Sequence, residues 1–142
     1  MATCRTLGAP LDAARSAVRA DPGDVEALHR LAHASAERAG GPTRETLEAL
    51  EEAYRRAPFP PPDAMIWRVD FAERYWTSIP DPLAARTLTQ VEALGRMGDR
   101  WQARVAWCRG ARAPAIAEAA CATAPGVERG LDLDPSEPPA AA

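Results

Sequence analysis

Proline and glycine interrupt this chain so often that any helix in it must be short. The breaks fall at Pro22-Gly23, Gly40-Gly41-Pro42, Pro58 to Pro62, Pro80-Asp81-Pro82, Gly98-Asp99, Ala113-Pro114 and Pro125-Gly126. Proline has no N–H to offer a helix interior, so each of these points predicts a boundary. The pieces between them run to roughly 10–18 residues, and their apolar residues recur at helical spacing.

The piece starts carry helix-start chemistry. Asp24 precedes Val25-Glu26-Ala27-Leu28, and Thr43 precedes an acidic first turn, where negative charge complements the helix dipole. Asp81-Pro82 sets proline at the first helical position, and Asp99 opens the segment Arg100 to Arg109. Alanine is abundant, and aromatics are only 6% of the chain, a balance that favours helix over strand. No segment alternates apolar and polar residues as a half-buried strand does. The expectation is an all-α protein of six or seven helices, with 142 residues giving a single domain over 1–126. The remainder, 127–142, is acidic and Pro-rich and is expected to be disordered, because it has too little to bury.

Two segments end alike. In Ala14-Arg-Ser-Ala17-Val-Arg-Ala-Asp-Pro22 and Leu50-Glu-Glu-Ala53-Tyr-Arg-Arg-Ala-Pro58, an alanine stands five residues before a proline and an apolar residue three before that alanine. Pro22 and Pro58 are 36 positions apart. This resembles the second helix and terminal proline of a tetratricopeptide (TPR) repeat, whose period is about 34 residues. The two extra residues fit the Ala39-Gly40-Gly41-Pro42 turn. Val25-Glu-Ala-Leu28-His-Arg-Leu31-Ala32 then resembles the first helix of the next repeat, with Leu28 and Leu31 at large packing positions and Ala32 at the small one. Ser35 stands where the family usually has tyrosine, and Ala14 and Leu50 replace a usual aromatic. The resemblance covers about residues 10–58; beyond Pro58 it weakens, although Asp63 to Ile79 and Pro82 to Met97 offer a further hairpin. It implies antiparallel helical hairpins stacked as a short TPR-like α-solenoid. Trp67, Phe71, Tyr75 and Trp76 make the first of those helices the most aromatic element, expected to fill space between helix layers.

In that family the exposed positions of the first helix line a concave binding groove. By resemblance, Glu26, His29, His33, Ala36 and Glu37 face a partner. A short array also leaves an apolar end uncovered, because each hairpin buries its face on the next. The chain opens in what resembles a second helix without its first, so a protein partner or self-association is expected.

The net charge is −3, which gives no global field to attract nucleic acid. Every side-chain base other than histidine is arginine; lysine and asparagine are absent, as a GC-rich bacterial genome would produce. No run of about 18 apolar residues could span a bilayer. The start, Met1-Ala-Thr-Cys4-Arg5, lacks the apolar core of a signal peptide, so the expectation is either a cytoplasmic protein or one sent to the periplasm or envelope by a targeting segment outside this chain.

Three constellations bear on chemistry. His29 and His33 are one turn apart and could hold a metal such as zinc, but Arg30 stands where a zincin has its glutamate and no third ligand is evident, so no metal or cofactor is assigned. Arg96, Arg100, Arg104, Arg109 and Arg112, with Trp101 and Trp107, could make helix 99–112 a contact for an anionic membrane, although Trp101, Val105 and Cys108 form a stripe that suits a core. Membrane contact is possible but not favoured. Cys108 and Cys121 flank the turn at Pro114 at similar distances. A disulfide there would imply an oxidising compartment, and two buried free thiols fit equally.

No Gly-rich phosphate loop and no nucleophile with a histidine and acid partner is evident. The expected function is a non-enzymatic interaction module, a scaffold or accessory subunit of a bacterial complex. The alternatives are a small metal-binding protein or enzyme using His29 and His33, and a peripheral envelope factor using the Arg/Trp helix.

Overall fold

The structure is a computed structural model that describes residues 4–127; the acidic Pro-rich segment 128–142, and the expectation that it is disordered, lie outside the described residues. Seven α-helices account for most of it: α1 (Cys4–Ala20), α2 (Val25–Ala39), α3 (Arg44–Arg56), α4 (Pro62–Arg74), α5 (Asp81–Met97), α6 (Trp101–Gly110) and α7 (Pro114–Thr123). There is no strand among the described residues.

Local chemistry explains most helix ends. Asp24 caps α2 by accepting from the Ala27 N–H at 3.3 Å, and Thr43 caps α3 by accepting from the Thr46 N–H at 3.1 Å. At the other end of α2, Gly40 adopts φ 77°, a left-handed conformation that costs glycine little, and both Gly40 and Gly41 donate to the Ala36 carbonyl. The aromatic element is shorter than its sequence suggests. Helix α4 ends at Arg74, where Tyr75 leaves the helical region at φ −118° and ψ 28°, and Trp76–Ser78 forms a separate 3₁₀ turn. Asp99 does not open α6. Arg100 does, in a left-handed conformation at φ 51°, with the Asp99 carboxylate accepting its N–H at 2.7 Å.

The chain forms two compact units. The first contains α1, α2 and α3, with α2 packed against both neighbours. Its core is Leu11 and Ala14 of α1, Leu28, Leu31, Ala32 and Ala36 of α2, and Ala49, Leu50 and Ala53 of α3. Small residues let the helices approach closely, and two polar links set their register. Thr46 is fully buried and donates to the Ala32 carbonyl at 3.2 Å. The Arg15 guanidinium grips both oxygens of Glu45, at 3.0 and 2.9 Å, tying α1 to α3.

The second unit contains α4, α5, α6 and α7. Its core joins Met65 and Val69 of α4, Val91 and Leu94 of α5, Trp107 and Cys108 of α6, and Ile116, Ala117 and Ala120 of α7. Helices of ten residues, the length of α6 and α7, are not stable alone in water, so burial of this face holds them. Full burial of side chains such as Val69, Leu94 and Ile116 contributes about 1.5–3 kcal/mol each. Helices α5 and α7 meet so closely that a Cβ on Gly95 would lie 2.6 Å from the Cβ and Cγ2 of Thr123.

Polar links run from α4 to α6 at successive heights. Arg100 Nη2 donates to Asp63 Oδ1 at 2.8 Å, and Trp107 Nε1 donates to Asp70 Oδ1 at 2.8 Å. Each pair is 37 positions apart, so the two helices advance together and are parallel. One turn further, Glu73 Oε1 accepts from the Arg112 and Ala113 N–H groups ahead of α7. Within the unit α4 packs on α5, α6 on α7 and α5 on α7.

Candidate interaction surface

Helix α2 is packed on two sides, and what remains open is a narrow stripe. Glu26, Arg30, His33 and Glu37 are exposed, at the spacing that keeps residues on one line of a helix. Arg30 hydrogen-bonds Glu26 one turn earlier. The stripe therefore offers carboxylate acceptors, an imidazole and a guanidinium, a set suited to polar recognition.

Two residues expected on that surface are not on it. His29 is only 9% exposed and Ala36 is fully buried. Both fall on the side of α2 that turns toward its neighbours, because helices on two flanks leave less than the half-cylinder a lone hairpin would expose. His29 and His33, though one turn apart, thus occupy different environments. Among the described residues no group of three or more His, Cys, Asp or Glu is placed to hold a metal ion.

The Arg/Trp helix also departs from a solvated cationic face. Arg104 is 4% exposed, and its guanidinium donates to the backbone carbonyls of Asp99, at 2.8 Å, and Thr123. Burial pushes its pKa down, partly opposed by the nearby Asp99 carboxylate. It also covers the Trp101 ring, 5.3 Å from the centroid. Arg100 is engaged by Asp63 and Asp99. Two of the five arginines are thus occupied within the unit. No helix among the described residues is long and apolar enough to cross a membrane.

Of the aromatic group, Phe71 is buried and Trp76 packs against the core of the second unit. Trp67, Phe71 and Tyr75 form a ladder one turn apart, with successive ring centroids 5.1 Å apart.

The Cys108 and Cys121 sulfurs are bonded at 2.02 Å, joining α6 to α7 with their Cα atoms 4.6 Å apart. Cys108 is fully buried and Cys121 partly exposed.

Sequence reasoning missed the acidic line on α4. Asp63, Asp70 and Glu73 lie seven and three residues apart, on one face of the helix, and that spacing is the available signal. Their partners lie 37 to 40 positions away, which no local pattern specifies.

Fold and surface together define an all-α protein of short helical hairpins that presents a polar helix stripe. The chain matches no protein-family model, no curated protein and no solved structure.

Proposed function

We propose that this chain is a TPR-like helical-repeat interaction module, non-enzymatic, that serves as a scaffold or accessory subunit and binds a protein partner through the α2 stripe. The observation that carries the reading is the parallel register of α4 and α6, with both the Asp63–Arg100 and Asp70–Trp107 pairs 37 positions apart. Stacking of like hairpins in one sense is the building rule of α-solenoids, whose helix-lined faces recognise partners by shape and polar contact. The near-equal spacing of Pro22 and Pro58 in the first unit supports the same period. Recognition would use Glu26, His33 and Glu37, which stand on one open line of α2.

The test is capture of partners from the native cell with wild-type protein and with a Glu26→Ala/His33→Ala/Glu37→Ala variant. The variant is expected to keep its helical circular dichroism and to lose a partner that the wild type retains. A partner held equally by both proteins would move the binding site elsewhere. Light scattering that shows a well-folded monomer at micromolar concentration would remove self-association.

A further inference from the structure

We propose that the Cys108–Cys121 disulfide is a redox-responsive latch on the α6–α7 hairpin, opened by a dithiol reductant that attacks the sulfur of Cys121. The inference does not depend on the partner-binding reading, since it concerns only the second unit.

The two half-cystines are unequal. Cys108 is fully buried in a core that includes Val69, Trp107, Ile116 and Ala120, whereas Cys121 is partly exposed. Thiol–disulfide exchange needs a thiolate in line with the S–S bond, so access selects the sulfur that is attacked. An incoming thiolate therefore forms its bond to Cys121 Sγ while the Cys121–Cys108 bond breaks. Cys108 leaves as a thiolate and takes up a proton, because its apolar surroundings do not support the charge. The second thiol of the reductant then attacks its own sulfur in the mixed disulfide and releases Cys121. Two electrons pass from the dithiol to the protein, which ends with two thiols, and the reductant ends as a disulfide.

The hairpin depends on this bond more than most of the fold would. Helices α6 and α7 have ten residues each, and α7 contributes mainly alanines to the core, Ala117 and Ala120 beside Ile116. The other polar ties to α7 sit at its two ends, where Glu73 accepts from the Ala113 N–H at the start and Arg104 donates to the Thr123 carbonyl at the finish, beside the close Gly95–Thr123 approach. Reduction releases the link between the helices and loosens α7 against α5 and α6. The closed form belongs to an oxidising compartment, and a dithiol reductant opens it.

The test uses the full chain with Cys4→Ser, so that only this pair remains, prepared without reductant. Its intact mass is expected to be about 2 Da below that of the reduced protein, and millimolar dithiothreitol should open the bond while the protein stays folded. Hydrogen exchange should then accelerate in α7 and remain unchanged in α4. With glutathione disulfide as probe, Cys108→Ser should be modified at Cys121 at least about tenfold faster than Cys121→Ser is modified at Cys108. Free thiols in the unreduced protein, resistance of the bond to dithiothreitol in the folded state, or unchanged α7 exchange after reduction would each overturn the proposal. So would faster reaction at Cys108. The exchange measurement keeps it testable if either single variant fails to fold.

Discussion

Trp107 Nε1 donates a hydrogen bond to Asp70 Oδ1 at 2.8 Å, although the indole ring is buried in the core and the carboxylate belongs to an exposed residue. The ring sits at the edge of the core with its polar tip turned to the solvent side, where α4 supplies the acceptor. Replacing Asp70 by Ala leaves that N–H without its carboxylate. Asp70→Ala is expected to cost about 1–3 kcal/mol. Trp107→Phe should lose the bond together with ring area, and Asp70→Asn, which keeps an acceptor, should cost least. Urea unfolding of the three variants orders them.

Gly95→Ala would stabilise an isolated helix by about 1 kcal/mol, through propensity alone. In this fold the sign reverses. The new Cβ would meet Thr123 at 2.6 Å, so α5 and α7 must separate, and the expected loss is about 1–3 kcal/mol. Thr123→Gly in the same chain should recover part of it. Additivity of the two changes in thermal unfolding would show that the contact is not shared.

The Cys108–Cys121 bond closes a loop with a sequence separation of 13. A closure of this length reduces the freedom of the unfolded chain by about 3 kcal/mol. Cys108→Ala/Cys121→Ala is therefore expected to unfold at lower denaturant by an amount of that order. The loss should match that produced by adding reductant to the wild type, measured by equilibrium unfolding.

Acid should weaken the first unit through two carboxylates. The Arg15 guanidinium, bonded to both oxygens of Glu45, holds that carboxyl below its ordinary value, and Arg55 followed by Arg56 holds Glu52 down to about 2. A depressed folded pKa means the stabilisation is complete above the ordinary value of 4.5 and is lost as pH falls through the folded value. Melting temperature is thus expected to drop between about pH 4.5 and pH 2. Glu45→Gln and Glu52→Gln should each flatten that drop while lowering stability at neutral pH. Both pairs are solvent-accessible, so added salt should shrink the effect.

Much of the helical plan was legible because its signals are local. Asp24 and Thr43 act on N–H groups three residues away, Gly40 accepts a positive φ, and prolines stop helices wherever they stand. Two boundaries depart from the local reading: the aromatic element divides after Arg74 into α4 and a 3₁₀ turn, and Arg100 takes the capping position that Asp99 was expected to hold.

The sequence by itself determined where the helices are and which of their faces are apolar, since caps, prolines and helical periodicity operate within a few residues. Only the tertiary structure decided which polar residues stay outside. His29 and His33 are indistinguishable by spacing, yet the flanking helices bury one and expose the other. Arg104 reads as a surface cation and is instead spent on the carbonyls of Asp99 and Thr123. Asp70 finds Trp107 across 37 positions, and Cys108 meets Cys121 across a turn. These pairings depend on how helices are placed relative to one another, and that placement follows from the joint burial of many side chains, which no single stretch of chain encodes.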